Sequence, residues 1–170
     1  MTLQQAGVAV VGGGMVGGAL ALGLAQHGFD VTVIEQAAPP AFDAAGKPDV
    51  RISAISAASV DLLRGLGVWE AVLAMRAHPW RRLETWEWET ARVQFDAAEL
   101  KLPLLGYMVE NTVLQQALWQ ALEAHPGVTL RVPASIKALH RHNDHHVLAL
   151  SEGDELAVKL VIGADGANSR

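Results

Sequence analysis

At 170 residues, 51% of them hydrophobic and only 18% charged, the chain is long enough to bury a core and too apolar to remain disordered. Thirteen Lys and Arg against 18 Asp and Glu leave a net charge of −5, which offers no basic face to a phosphate backbone and argues against nucleic acid as a partner. No cysteine is present, so disulfides, thiolate metal sites and cysteine nucleophiles are excluded.

Residues 1–29 contain no Lys, Arg, Asp or Glu, a run long enough to suggest a membrane span or a secretory signal. Glycine argues against both readings. Gly7, Gly12, Gly13, Gly14, Gly17, Gly18 and Gly23 fall in this stretch, each costs about 1 kcal/mol against Ala in a helix interior, and no basic n-region precedes them. Strand, turn and helix fit better. Val8 to Val11 form a short apolar run of the buried parallel-strand kind. The glycines break it, and Val16, Ala19, Leu20, Leu22 and Leu24 supply a helix with Gly28 placed for a left-handed C-terminal cap. Val31 to Ile34 then make a second strand ending at Glu35.

On that β-α-β frame Gly12, Gly14 and Gly17 spell G-x-G-x-x-G, a spacing that decides little without its context. Here it follows a strand, opens a helix, and is trailed by an acidic residue at the end of the next strand. Gly12 permits the turn, Gly14 lets a pyrophosphate approach the backbone, and Gly17 lets helix and strand pack closely. The N–H groups of Met15 and Val16 then face the phosphates, and Glu35 accepts hydrogen bonds from an adenosine ribose. The plainer alternative is a glycine-rich turn beside a surface glutamate.

Residues 37–48 hold three prolines and read as a loop. Ser56 caps a helix carrying Val60, Leu62, Leu63 and Leu66 and broken at Gly67, and a second short helix runs from Trp69 towards Ala77, ended by His78 and Pro79. Leu83, Trp86, Trp88, Val93 and Phe95 alternate with polar residues, which predicts a hairpin turning near Thr90. Thr112 to His125 is an amphipathic helix stopped by Pro126 and Gly127. From Val128 to Ile162 the spacing predicts an antiparallel meander turning at Asn143-Asp144 and at residues 152–154. Leu160 to Ile162 then run as a buried strand into small residues surrounding Asp165, which arrives at the same sheet edge as Gly12 to Gly17 unless it merely forms an Asx-turn.

These residues resemble a known family. The order of G-G-G-M-V-G-G at 12–18, V-I-E at 33–35, P-D-V-R-I-S-A-I-S at 48–56, E-N-T-V-L at 110–114 and G-A-D-G-A-N-S at 163–169 is similar to the flavoprotein aromatic hydroxylases of the para-hydroxybenzoate hydroxylase type. The stretch E-T-W-E-W-E-T at 84–90 points to their ubiquinone-biosynthesis branch. The resemblance implies an α/β, Rossmann-like FAD-binding domain, a parallel sheet with an antiparallel meander, over residues 1–76 and 105–170. Residues 77–104 become a strand insertion belonging to a β-rich substrate domain. It implies FAD as cofactor, NAD(P)H as electron donor, and O2 as the source of the oxygen placed on a polyprenyl quinol ring, with the demanding chemistry belonging to the cofactor. Gly12, Gly14, Gly17 and Glu35 hold the ADP half.

Arg51 matches the family arginine near the flavin and its phosphates, with a surface ion pair as the alternative. Asn111 stands where many relatives carry Arg or Gln against the ribityl chain, a departure that an amide can accommodate, or else it is the helix N-cap. Asp165 matches the Asp-Gly motif associated with FAD and the nicotinamide. The strand from Val128 to Ile136 is placed to offer backbone contacts to adenine. No catalytic side chain is nominated.

Relatives continue past residue 170 with a second flavin motif and most of the substrate layer. The expectation is therefore an N-terminal portion that keeps the ADP-binding framework without completing hydroxylation. A cytoplasmic chain, peripheral to the inner membrane and able to self-associate or to meet other ubiquinone-biosynthesis proteins, agrees with the resemblance. The competing classes are a flavin or nicotinamide oxidoreductase that moves only hydride, and a non-catalytic assembly module.

Two clusters invite stronger readings. His140, His142, His145 and His146 flank an expected hairpin turn and read as solvated rather than metal-binding. Trp80, Trp86 and Trp88 read as core and hairpin packing, with an aromatic substrate pocket as the alternative.

Overall fold

The computed structural model describes residues 3–169; Met1, Thr2 and Arg170, which bound the ranges expected above, lie outside them. The chain divides into two compact units, one of Met1–Ala41 with Gln115–Arg170 and one of Phe42–Leu114.

The first unit is built on a six-stranded sheet. Strand β1 (Leu3–Val11) is followed by helix α1 (Met15–Gln26) and β2 (Val31–Ile34), with β1 and β2 parallel. All four residues of β2 are buried, as expected of a strand covered on both faces. Its last strand, β11 (Glu155–Gly163), also runs parallel to β1, with Val11 opposite Gly163. Strands β9 (Ile136–Arg141) and β10 (His146–Leu150) complete an antiparallel β9-β10-β11 meander. The expected meander began too early. Strand β8 (Val128–Arg131) pairs parallel with β2, giving the order β8-β2-β1-β11-β10-β9. The reason is the connection: β8 is reached through a crossover helix, α4 (Asn111–Ala124), and crossover connections join parallel strands whereas tight turns join antiparallel ones. Ala9, Ile34, Leu148, Leu150, Leu156 and Val158 form one buried cluster across this sheet.

Helix α1 contacts its neighbours through Gly17, Gly18, Ala21, Leu22 and Ala25, a face of small residues, while Val16 is 75% exposed. The expected apolar surface through Val16 and Leu20 is therefore displaced by one residue. Close helix-to-strand approach favours the smallest side chains, and periodicity read from the large ones misses it. Gly28, at φ +86°, supplies the left-handed exit from the helix, as expected.

The second unit contains β3 (Ile52–Ser56), α2 (Ala57–Gly65), α3 (Trp69–Met75), β4 (Ala77–Trp80), β5 (Arg82–Trp88), β6 (Ala91–Asp96) and β7 (Gly106–Glu110). β3 and β4 flank β7 in a three-stranded antiparallel sheet, and β5 and β6 form the expected hairpin. None of β3, β4 and β7 was expected. β3 is rich in small and polar residues and buries no residue fully, so it carries no apolar run. β4 contains Pro79, which is tolerated because β4 is an edge strand. β3, α2 and α3 share a unit with residues 77–104.

Ser56 caps α2 as expected, its hydroxyl accepting the Ser59 N–H. Val60 and Leu63 are buried, and Trp69 meets Tyr107 edge to face at 5.0 Å. The reading of Trp86 and Trp88 as packed residues is corrected: they are 64% and 71% exposed, since the two-stranded hairpin is not covered there by other described residues. Trp80 is half-buried. Among the described residues no helix is long and apolar enough to cross a membrane.

Two adjacent leucines of α2 test this packing. Leu63 is 5% exposed and Leu62 is 60% exposed. Leu63→Ala is expected to lower unfolding stability in urea by about 2–4 kcal/mol, and Leu62→Ala by no more than about 0.5 kcal/mol.

Candidate functional site

β1 ends at Val11, and the residues that follow place three backbones in one small volume. Gly12 adopts φ +102°, the left-handed region where glycine alone is unstrained. A Cβ there would overlap the Ala164 carbonyl and approach Asp165 N at 2.9 Å. Its N–H donates to Ile34 O at 2.8 Å, tying the turn to β2. Gly17 is required for space alone, since a Cβ on it would overlap the Gly12 carbonyl oxygen and meet Ala164 Cβ at 3.1 Å. A Cβ on Gly13 would lie 2.8 Å from the ring of buried Trp119.

Gly14 is different. Its φ of −69° and ψ of −172° suit any residue, and nothing lies within 4 Å of where its Cβ would stand. Neither conformation nor internal packing calls for glycine here. The open space lies before the first turn of α1, whose N-cap is Gly14 itself, with no side-chain cap and no acidic residue in that turn. The first bond within the helix is Gly18 N–H to Gly14 O at 2.7 Å, so the N–H groups of Met15, Val16 and Gly17 have no partner inside the helix. Uncapped donors at the positive end of a helix, reached across an open glycine, suit a diphosphate.

Glu35 follows β2 and faces the same turn. Oε2 accepts the Gly13 N–H at 2.6 Å, and Oε1 accepts the Gln36 N–H at 2.7 Å. Oε1 also accepts the Ala37 N–H at 3.4 Å. The carboxylate thus braces the glycine turn, a task not read from the sequence, while Oε2 keeps a further lone pair for a hydroxyl donor. Asp165 lies two residues past the end of β11, exposed, with φ −86°, at the start of a 3-10 turn over Gly166–Asn168. The Ala164 N–H donates to Val11 O at 2.7 Å, which brings Asp165 to the edge holding Gly12 to Gly17, as expected. Ala164 and Trp119 were missed. The signal for Ala164 was its small size beside the Asp; Trp119 carried none, since an aromatic residue in an amphipathic helix reads as core.

Arg51 and Asn111 lie together in the second unit. The Arg51 N–H donates to Asp49 Oδ1 at 3.0 Å, and the Asn111 N–H donates to Arg51 O at 3.0 Å. The Arg51 side chain is exposed, and no hydrogen bond or ion pair engages its guanidinium among the described residues. The surface ion-pair alternative therefore does not describe it. Asn111 opens α4 rather than preceding it, and its Oδ1 accepts the Ser53 hydroxyl at 2.6 Å. Ser53 was not singled out from the sequence, although it lies inside the P-D-V-R-I-S run.

The β9–β10 turn stacks the His142 and His145 rings at 4.7 Å and 7°. His145 Nδ1 lies 2.8 Å from Asp144 Oδ1. That side-chain hydrogen bond, then a bond from the aspartate's own backbone and the attraction of His145, hold the exposed Asp144 carboxyl below its usual range.

Comparison with known proteins agrees with this geometry. The family described as "FAD binding domain" matches residues 5–170. The chain is 76% identical over all 170 residues to the 3-demethoxyubiquinol 3-hydroxylase of Escherichia coli, covering 44% of that protein. It is 40% identical over 168 residues to the ubiquinone hydroxylase UbiL of Rhodospirillum rubrum, covering 98% of this chain and 38% of that one. The chain thus spans less than half the length of these relatives. Among solved structures, p-nitrophenol 4-monooxygenase PnpA from Pseudomonas putida superposes with a TM-score of 0.73 at 21% identity, covering 99% of this chain and 42% of that one. The flavin-dependent monooxygenase PieE, in complex with FAD and substrate, gives 0.75 at 19% identity, covering 98% of this chain and 31% of that one. These two show the same fold.

The two glycines separate packing from binding. Gly17→Ala is expected to cost about 1–3 kcal/mol or more of unfolding stability, as overpacking does. Gly14→Ala should leave stability within about 0.5 kcal/mol of the parent chain. Thermal or urea unfolding of both variants checks this. For Asp144, a folded value below the unfolded one means that any stability it contributes is present above the ordinary aspartate range and is lost as pH falls through the lowered value. Carboxyl-carbon NMR should show its midpoint below that of an unstructured aspartate, moving up on His145→Gln.

Proposed function

The chain belongs to the family of FAD-binding domains, and from that footing we propose that it holds FAD for a flavin-dependent monooxygenase that hydroxylates a polyprenyl benzoquinol ring in ubiquinone biosynthesis. The observation that carries the cofactor reading is the open space at Gly14 before an uncapped helix N-terminus, beside a second strand end bearing Asp165. The substrate class is supported by the names of the two relatives, a 3-demethoxyubiquinol 3-hydroxylase and a ubiquinone hydroxylase.

In this reading the N–H groups of Met15, Val16 and Gly17 donate to the diphosphate, with Gly12 and Gly14 keeping side chains out of its path. Glu35 accepts from the adenosine ribose on the lone pair of Oε2 that the Gly13 N–H leaves free. Arg51 sets a permanent positive charge against the anionic cofactor, and the amide nitrogen of Asn111 donates to the ribityl chain while its oxygen stays on Ser53. Asp165 accepts from the cofactor or nicotinamide at the strand edge. Bound FAD supplies the redox chemistry by which NAD(P)H and O2 convert a ring C–H to C–OH, with water and NAD(P)+ as the other products. A polyprenyl substrate is itself apolar, which favours work in the cytoplasm at the inner-membrane surface.

Titration with FAD, followed by quenching of flavin fluorescence, tests this. The chain should bind, and Gly14→Val should weaken binding by on the order of tenfold or more, equivalent to about 1.4 kcal/mol, with its melting temperature unchanged. Equal affinity in the parent and the variant would falsify the reading.

A further inference from the structure

The segment Phe42 to Arg51 joins the two halves of the chain's sequence motifs without a strand or helix of its own. Something other than a backbone ladder must fix its path, because an irregular segment of this length otherwise samples many conformations. The structure shows what does. Arg76, at the end of α3, directs Nη1 to Glu110 Oε1 at 3.0 Å. Its Nη2 faces three carbonyls of the segment, Gly46 O at 3.2 Å, Ala44 O at 3.4 Å and Asp43 O at 3.5 Å. The guanidinium also lies over the Phe42 ring, 5.3 Å from its centroid. Glu110 is buried at the end of β7, and its second oxygen, Oε2, accepts the Asp49 N–H at 2.7 Å. Asp49 Oδ1 in turn accepts the Arg51 N–H, and Arg51 O accepts the N–H of Asn111, the residue after Glu110.

A single buried carboxylate therefore grips the segment twice, once directly at Asp49, whose own side chain accepts the Arg51 N–H, and once through Arg76, which faces the carbonyls of Asp43, Ala44 and Gly46 earlier in the same segment. Such a buried pair is a poor source of net stability, because desolvation offsets most of its attraction. It is a good source of geometry, since the planar guanidinium fork binds its acceptors in one arrangement. We propose that Arg76 and Glu110 are positioning residues for Arg51, fixing the backbone that presents its guanidinium, which has no partner among the described residues, to an anionic cofactor. This rests on the FAD-binding reading above. Arg76 and Glu110 themselves touch no ligand; they act by removing the conformational freedom that Arg51 would otherwise lose on binding.

The test is a double-mutant cycle on FAD affinity, joined to hydrogen exchange on the FAD-free chain. Arg51→Gln and Glu110→Ala should each weaken FAD binding by on the order of tenfold, the scale of one charge-assisted contact. The double variant should be no weaker than Arg51→Gln alone, and Glu110→Gln, which keeps an acceptor for Asp49, should recover part of the loss. In exchange, Glu110→Ala should deprotect the Asp49 and Arg51 amides while those of β1 and β2 keep their protection, which separates local release from unfolding. Losses that multiply to about a hundredfold in the double variant, as independent sites do, would overturn the inference while leaving FAD binding intact. Unchanged exchange at Arg51 would overturn it whatever FAD does. A chain that binds no FAD before any substitution overturns the functional reading and this inference together.

Discussion

The glycine turn depends on a volume constraint. β1, α1 and β11 converge so closely that the backbone of one element occupies the place of a side chain on the next: the Ala164 carbonyl fills the Cβ position of Gly12, and the Gly12 carbonyl fills that of Gly17. Interiors packed this densely leave no slack to absorb a methyl group. The helix N-terminus is consequently held against the ends of two parallel strands, and its unbonded N–H groups are carried to the sheet edge rather than left to fray. Glu35 adds a brace from β2 by accepting the Gly13 N–H. Gly14 is the member of the G-x-G-x-x-G set that neither conformation nor internal packing requires.

The two units reach defined geometry by different means. In the first, strand register and tight packing place the elements around the glycine turn, with Val11 opposite both Ile34 and Gly163. In the second, Arg51 stands at the end of an irregular segment, and side chains do what a ladder does elsewhere. Arg76 and Glu110 satisfy carbonyl and N–H groups that would otherwise need water. Ser53 and Asn111 bond to each other across β3 and the start of α4. A charged, planar donor suits this task because it spans several acceptors at once.

The opening β-α-β unit was legible because each of its parts has a local cause. A valine run makes a buried strand, glycine breaks it, and Gly28 adopts the backbone angle only glycine takes freely. The hairpin at 82–96 and the Ser56 cap were legible for the same reason. Strand β3 was not, since Ile52 and Ile55 are separated by small residues with no apolar run, and it exists by pairing with β7, 50 or more residues away. β8 was read with the wrong neighbour, because direction in a sheet depends on the connecting helix rather than on the strand's composition. Among the expected site residues, the glycines, Glu35 and Asp165 converge in the first unit, while Arg51 and Asn111 meet in the second.

Local chemistry was thus enough to establish the strand-turn-helix unit, the acidic residue trailing it and the kind of cofactor such a unit accommodates. Tertiary structure alone decided which glycine serves packing and which leaves space, that Glu35, expected to accept from a ribose, also braces the turn, and that Glu110 joins Arg76 to Asp49. The reason is physical: backbone preference is a property of a few consecutive residues, whereas excluded volume and side-chain hydrogen bonds join residues that the chain keeps far apart until it folds.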